Sequence, residues 1–140
     1  MNLVEIRVPA LAYLGDCVIE LCVRQHLVES GVSTSRNLNR EALNYVRASA
    51  QAEAMKRIEP LLNEVELSYF NRGRNVGHMN NVPKSATVAE YRAATGMEVL
   101  FGYLHLSGKP ERIAELFRAG YLEPSQSPTV TALPKGEPNS

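Results

Sequence analysis

Two carboxylates stand out by the company they keep. Asp16 and Glu20 interrupt an otherwise almost wholly apolar run, LAYLGDCVIELCV, residues Leu11 to Val23. Glu98, inside GMEVLFGYL, is the only acid or base, histidine aside, between Arg92 and Lys109. On a helix turning about 100° per residue, Leu11, Leu14, Val18, Leu21 and Cys22 share one stripe. Asp16 falls on a second apolar face with Ala12, Ile19, Val23 and Leu27, and a helix apolar nearly all round reads as buried. Glu98 likewise shares a stripe with Tyr91, Ala94, Gly102 and His105. Burying a carboxylate is costly unless something pairs with it or a cation binds it. If the two helices pack together, two carboxylates converge on one point. Such oxygen donors suit Mg²⁺ or Mn²⁺, which keep several waters and complete their shell from a phosphate. A cation held there lowers the pKa of a water and stabilises charge on a phosphodiester. The competing reading is structural: either acid could pair with Arg24 or Arg92, or cap a backbone group.

Charge is distributed unevenly. The chain has 15 basic and 15 acidic residues, so its net charge gives no general attraction to a polyanion. Between Glu66 and Glu90, however, there is no acid, while Arg72, Arg74 and Lys84 all fall there. The stretch GRNVGHMNNVPKSA is dominated by Gly, Asn and Pro and reads as a loop. Arg72, Gly73, Arg74 and Asn75, with Lys84, are therefore candidate phosphate contacts in a flexible loop.

The elements that must position these residues are helices. A first helix is expected from about Pro9 to Glu29 and a second from about Leu38 to Glu59, stopped or kinked at Pro60. A third starts with a capping box at Asn63 and Glu66, runs to about Arg72 and ends at Gly73. Ser85 or Thr87 can cap a fourth, about Val88 to Leu106, and ERIAELFRAGY reads as a short amphipathic helix. No strand-like alternation persists, so the chain reads as all-α. Its 140 residues suffice for one domain with a core, assigned to residues 1–122. Residues 123–140, rich in Pro and Ser, read as a disordered tail. Cys17 and Cys22 read as core thiols, and three scattered histidines argue against a zinc site. No run is long enough to span a bilayer and the N-terminus lacks signal-peptide features, which points to the cytosol.

YLGDCVIEL resembles the helix built around Leu-Gly-Asp in ribonuclease III nuclease domains, and GMEVLFGYLHLSG resembles their later glutamate-bearing helix. NRGRN, VPKSATVAEYRAATG and VRASAQAEAM are similar to the Mini-ribonuclease III branch, which lacks a double-stranded-RNA-binding domain. The resemblance covers about Pro9 to Tyr121. It implies a homodimeric, Mg²⁺-dependent endoribonuclease (Mn²⁺ able to substitute) that cuts double-stranded RNA and leaves 5′-phosphate and 3′-hydroxyl ends. The implied substrate is precursor 23S ribosomal RNA. Asp16 matches the family's catalytic aspartate and Glu98 its metal-binding glutamate. Further acids of full-length members are replaced here by Pro9, Ala12 and Thr95, which implies one firmly held Mg²⁺. Two alternatives stand beside this reading: a non-catalytic RNA-binding module on the same fold, and an all-α nucleotide pyrophosphohydrolase. The latter usually carries several acid pairs one turn apart, a pattern that Asp16 with Glu20 meets only once.

Overall fold

The computed structural model describes residues 3–76 and 86–122, and every regular element among them is helical. In order these are α1 (Val8–Glu29), α2 (Ser35–Val46), α3 (Ala48–Ile58), α4 (Glu64–Arg74), α5 (Val88–Leu106) and α6 (Pro110–Phe117). Short turns at Leu3–Glu5 and Glu59–Leu61 and a π-type turn at Arg118–Leu122 complete the set. The expected tail and Lys84 lie outside the described residues.

Local chemistry explains most of the boundaries. Asn63 and Thr87 each accept a hydrogen bond from the backbone N–H three residues on, and Glu66 and Glu90 each accept one from the cap residue's N–H. These reciprocal bonds satisfy donors that a helix start leaves open. Gly31 and Gly108 follow the ends of α1 and α5 with φ of 94° and 70°, a left-handed conformation that stops a helix at little cost to glycine.

Helix α5 is the central element, packed against α1, α3 and α4. Its Met97, Leu100, Phe101 and Leu104 are fully buried, and each contributes about 1.5–3 kcal/mol through burial. They meet Ile19 and Val23 of α1, Met55 and Ile58 of α3, Phe70 of α4 and Leu116 of α6 in one core. The C-terminal turn is tied on by Arg57 Nε, which donates to the Gly120 carbonyl at 2.8 Å. The Tyr121 hydroxyl donates to the Tyr45 carbonyl, also at 2.8 Å.

Three expectations need correction. The second helix is not continuous: Arg47, with φ −62° and ψ 149°, is extended and separates α2 from α3. The apolar face of α2 serves α1, whereas Ala54, Met55 and Ile58 of α3 serve the core around α5, and one straight helix could not supply both. Thr34 caps α2 by accepting from Asn37 N–H, so the helix also starts three residues earlier than expected. Secondly, α4 continues through Gly73 to Arg74, so the Arg-Gly-Arg unit is helical and does not lie in a loop. Gly73 is buried because a Cβ there would sit 2.7 Å from both Gly96 Cα and a Val99 methyl. Thirdly, α1 is not buried all round. Leu11, Val18, Ile19, Val23 and Leu27 face inward, but Tyr13, Leu21 and Val28 are 85%, 65% and 62% exposed. Cys17 lies on that open side and is not a core thiol, while Cys22 is partly covered. Among the described residues no helix is long and apolar enough to cross a membrane.

Candidate active site

Asp16 and Glu98 are brought together by the crossing of α1 and α5, which is closer than side chains allow. A Cβ on Gly15 would collide with the main-chain carbonyl of Glu98, and one on Gly102 would collide with the carbonyl of Leu11. Two glycines, one on each helix, thus let the backbones touch and leave the neighbouring acids at one place. Sequence reasoning placed Gly102 on the Glu98 stripe but gave Gly15 no packing role. The available signal was the smallness of both residues in otherwise bulky runs.

The electrostatics follow from that crossing. Removal from water, and then the Asp16 carboxylate nearby, push Glu98 up to about 8 from an ordinary 4.5. Asp16 is exposed overall, a correction to its expected burial, yet partial desolvation and then Glu20 raise its pKa too. Like charges that repel each other's ionisation mark a site short of positive charge. No ion pair supplies it among those described: Arg24 pairs with Glu20 at 3.0 Å instead. Of the two arginines offered as structural partners, Arg24 is therefore taken up by Glu20. A divalent cation fits the donor set, because hard carboxylate oxygens of raised pKa gain most from a small, highly charged partner. Only two acids converge: among the described residues no cluster of three or more potential ligands occurs. Water and substrate oxygens must then fill most of a cation's shell.

The arginines of α4 do not act as one unit. Arg72 stacks over Tyr69, 4.9 Å from the ring centroid, and Tyr69 stacks in turn on Tyr103 at 4.1 Å. Tyr69 belongs to a small cluster with Leu11 of α1 and Val99 of α5, so Arg72 stands where α4 meets those two helices. Arg74 instead covers Phe70 at 5.3 Å and lines a groove of about 690 Å³ with Lys56, Glu90 and Arg92. Neither Asp16 nor Glu98 lines that groove. Asn75 is exposed at the end of α4 and also lines it. Gly73, buried between α4 and α5, offers no surface.

The order of these features along the chain is that of a known family, whose domain description matches residues 9–109 as "Ribonuclease III domain". The chain belongs to the ribonuclease III domain family. Within it, its relatives carry the name Mini-ribonuclease 3. That of Symbiobacterium thermophilum is 48% identical over 110 residues, covering 78% of this chain and 83% of that protein. That of Desulfitobacterium hafniense is 48% identical over 115 residues, covering 81% of this chain and 71% of the relative. A crystal structure of a protein from Fusobacterium nucleatum superposes with a TM-score of 0.73 at 30% identity, over 81% of this chain and 90% of that one. Membership in the family and its Mini-ribonuclease 3 branch makes the chain an endoribonuclease of the ribonuclease III type.

Proposed function

We propose that the chain is a Mg²⁺-dependent endoribonuclease for double-stranded RNA, with Asp16 and Glu98 as its two site carboxylates. The observation that carries this reading is their convergence at the glycine crossing of α1 and α5, where none of the ion pairs among the described residues includes either acid. Glu98, held by the more buried helix, is assigned as the firmer metal ligand. Asp16, exposed beside it, either ligates the same cation or orients the attacking water by accepting its hydrogen bond. The cation, when bound, supplies positive charge for the scissile phosphate and acidifies a water. Arg72, pre-set by its stack on Tyr69, is assigned to a phosphate near the acids. Arg74 and Asn75 are assigned to the RNA backbone further along α4, with Lys84 beyond them in sequence. Gly73 serves this interface by letting α4 approach α5. Manganese(II), with similar ligand preference, would substitute.

Double-stranded RNA is recognised by shape, phosphates and 2′-hydroxyls, because its major groove is too narrow to read. A single pair of acids cuts one strand, so cleavage of a duplex calls for two copies of the site. We assign the second copy to a homodimer formed through the open side of α1, where Tyr13, Leu21 and Val28 stay exposed among the described residues. The substrate assigned to it is a stem of precursor 23S ribosomal RNA, and its place is the cytoplasm.

The test uses a labelled RNA duplex with the purified protein, Asp16→Asn and Glu98→Gln, each in Mg²⁺ and in EDTA. Cleavage that needs Mg²⁺ and is lost by at least about a hundredfold in both folded variants is expected. Duplex binding without cleavage by the unmodified protein would refute the enzyme reading and leave an RNA-holding module. Hydrolysis of nucleoside triphosphates in place of RNA would return the chain to the pyrophosphohydrolase alternative.

A further inference from the structure

Helix α2 sorts its residues by charge more sharply than any role in the core requires. Its inward positions Leu38, Ala42, Tyr45 and Val46 pack against the core. Its outward positions are Arg36, Asn39, Arg40, Leu43 and Asn44, followed by Arg47 at the break before α3, and all six are exposed. At about 100° per residue, Arg36, Arg40 and Arg47 fall within roughly 40° of one another. With about 1.5 Å of rise per residue they span roughly 16 Å along the helix.

Among the described residues, no carboxylate of α2 falls on this face. The one acid of α2, Glu41, is half-buried about 100° round the helix from Arg40, and lines a depression with Asn44 at the edge of the face and with Glu53, Arg57 and Tyr121. None of the described ion pairs includes Arg36, Arg40 or Arg47, and Arg40 donates only to the Asn37 side-chain oxygen of its own helix. In a chain of zero net charge, three arginines in one row with no acid among them are a segregated charge. Leu43, 48% exposed, is the single apolar side chain there, so the face lacks the cluster of buried anchors that protein interfaces use. Guanidinium and amide donors without carboxylates suit phosphate and 2′-hydroxyl oxygens.

We infer that the outward face of α2 is a second duplex-RNA contact, a phosphate-binding ridge of Arg36, Arg40 and Arg47 separate from the arginines of α4. The inference rests on the proposed double-stranded RNA substrate and adds where the duplex is held beyond the acid pair. A row about 16 Å long spans several phosphates of one duplex.

The measurement is binding of a fluorescent RNA duplex, in EDTA, across a series of KCl concentrations. It compares the full chain with Arg36→Gln/Arg40→Gln/Arg47→Gln and with the corresponding triple lysine variant. Losing three phosphate contacts should lower the slope of log affinity against log salt by about two to three. Affinity near physiological salt should fall on the order of tenfold. Lysines should restore the slope. If the triple variant proves poorly folded by circular dichroism, Arg40→Gln alone should lower the slope by about one. An unchanged slope in a folded variant overturns the ridge while leaving the nuclease intact. If that variant instead loses binding to a polyglutamate peptide, the face belongs to an acidic protein. Failure of the unmodified protein to bind or cut duplex would remove both readings together.

Discussion

Gly15 lies against the main-chain carbonyl of Glu98, and Gly102 repeats that contact against Leu11 in the opposite sense. The pair fixes the crossing of α1 and α5, so the position of one acid relative to the other is a property of two backbones rather than of flexible side chains. Reacting groups held this way need little further ordering when substrate arrives.

Gly15→Ala is therefore expected to damage both stability and activity. The added methyl meets a main-chain carbonyl that cannot move without shifting α5. A loss of about 2–3 kcal/mol follows from overpacking of this kind. Urea denaturation reads the stability, and cleavage under conditions where the variant is folded reads the displaced acids. A variant of wild-type stability and rate would show that the helices separate freely.

The acid pair should make the metal-free protein less stable as pH rises. Glu98 has a folded-state pKa of about 8 against an ordinary 4.5, and Asp16 is shifted in the same direction. Between those values the folded chain holds a proton that the unfolded chain has released. The stabilisation is thus fully present below about 4.5 and is lost as pH climbs towards 8. Thermal unfolding in EDTA from pH 5 to 8.5 should show this decline, and Glu98→Gln should flatten it. Added Mg²⁺ favours the ionised carboxylates and should raise Tm more at pH 8 than at pH 5. A decline that persists unchanged in Glu98→Gln would assign it to another group.

Removal of Arg112 should unfasten α6 from α4. Its Nη2 and Nε contact both oxygens of Glu66 at 2.7 and 2.8 Å, and Nη2 also donates to the Leu61 carbonyl at 2.8 Å. Glu66 is buried and is held below the usual carboxylate range, first by its hydrogen bonds to this guanidinium. Arg112→Ala leaves that carboxylate without its partner, at a cost of about 3 kcal/mol. In a double-mutant cycle with Glu66→Gln the two losses should be far from additive, and additive losses would sink the idea of a coupled pair.

The open side of α1 should govern assembly. Leu21→Asp with Val28→Asp places charge where exposed apolar side chains now stand, 65% and 62% accessible in one chain. Analytical ultracentrifugation should show a dimer for the unmodified protein and a monomer for the variant. A monomeric unmodified protein, or a variant of unchanged mass, would place the second site elsewhere.

Features that depend on one or two turns of chain were legible in the sequence. The capping box at Asn63, the extents of α1 and α5 and the all-α class follow from hydrogen bonds and periodicity within a few residues, while the choice between Ser85 and Thr87 as cap of α5 was left open. So did the oddity of Asp16 and Glu98, since an acid inside an apolar run needs only composition to be noticed. What periodicity could not decide was which apolar face finds a partner. It assigned Asp16 and Cys17 to the interior, although the stripe of Tyr13, Leu21 and Val28 stays open. Nor could it divide α2 from α3 at Arg47, because neither glycine nor proline marks that break and only the different packing directions impose it.

The sequence by itself determined the all-α class, the extents of α1 and α5 and the two acids, because these are set by neighbours a few residues away. Only the tertiary structure decided that Gly15 and Gly102 let α1 and α5 touch, that Arg72 and Arg74 face different sides, and that Glu66 meets Arg112 across 46 residues. Those relationships depend on how helices stack, and the free energy that selects one stacking is spread over the whole core rather than written in any single stretch.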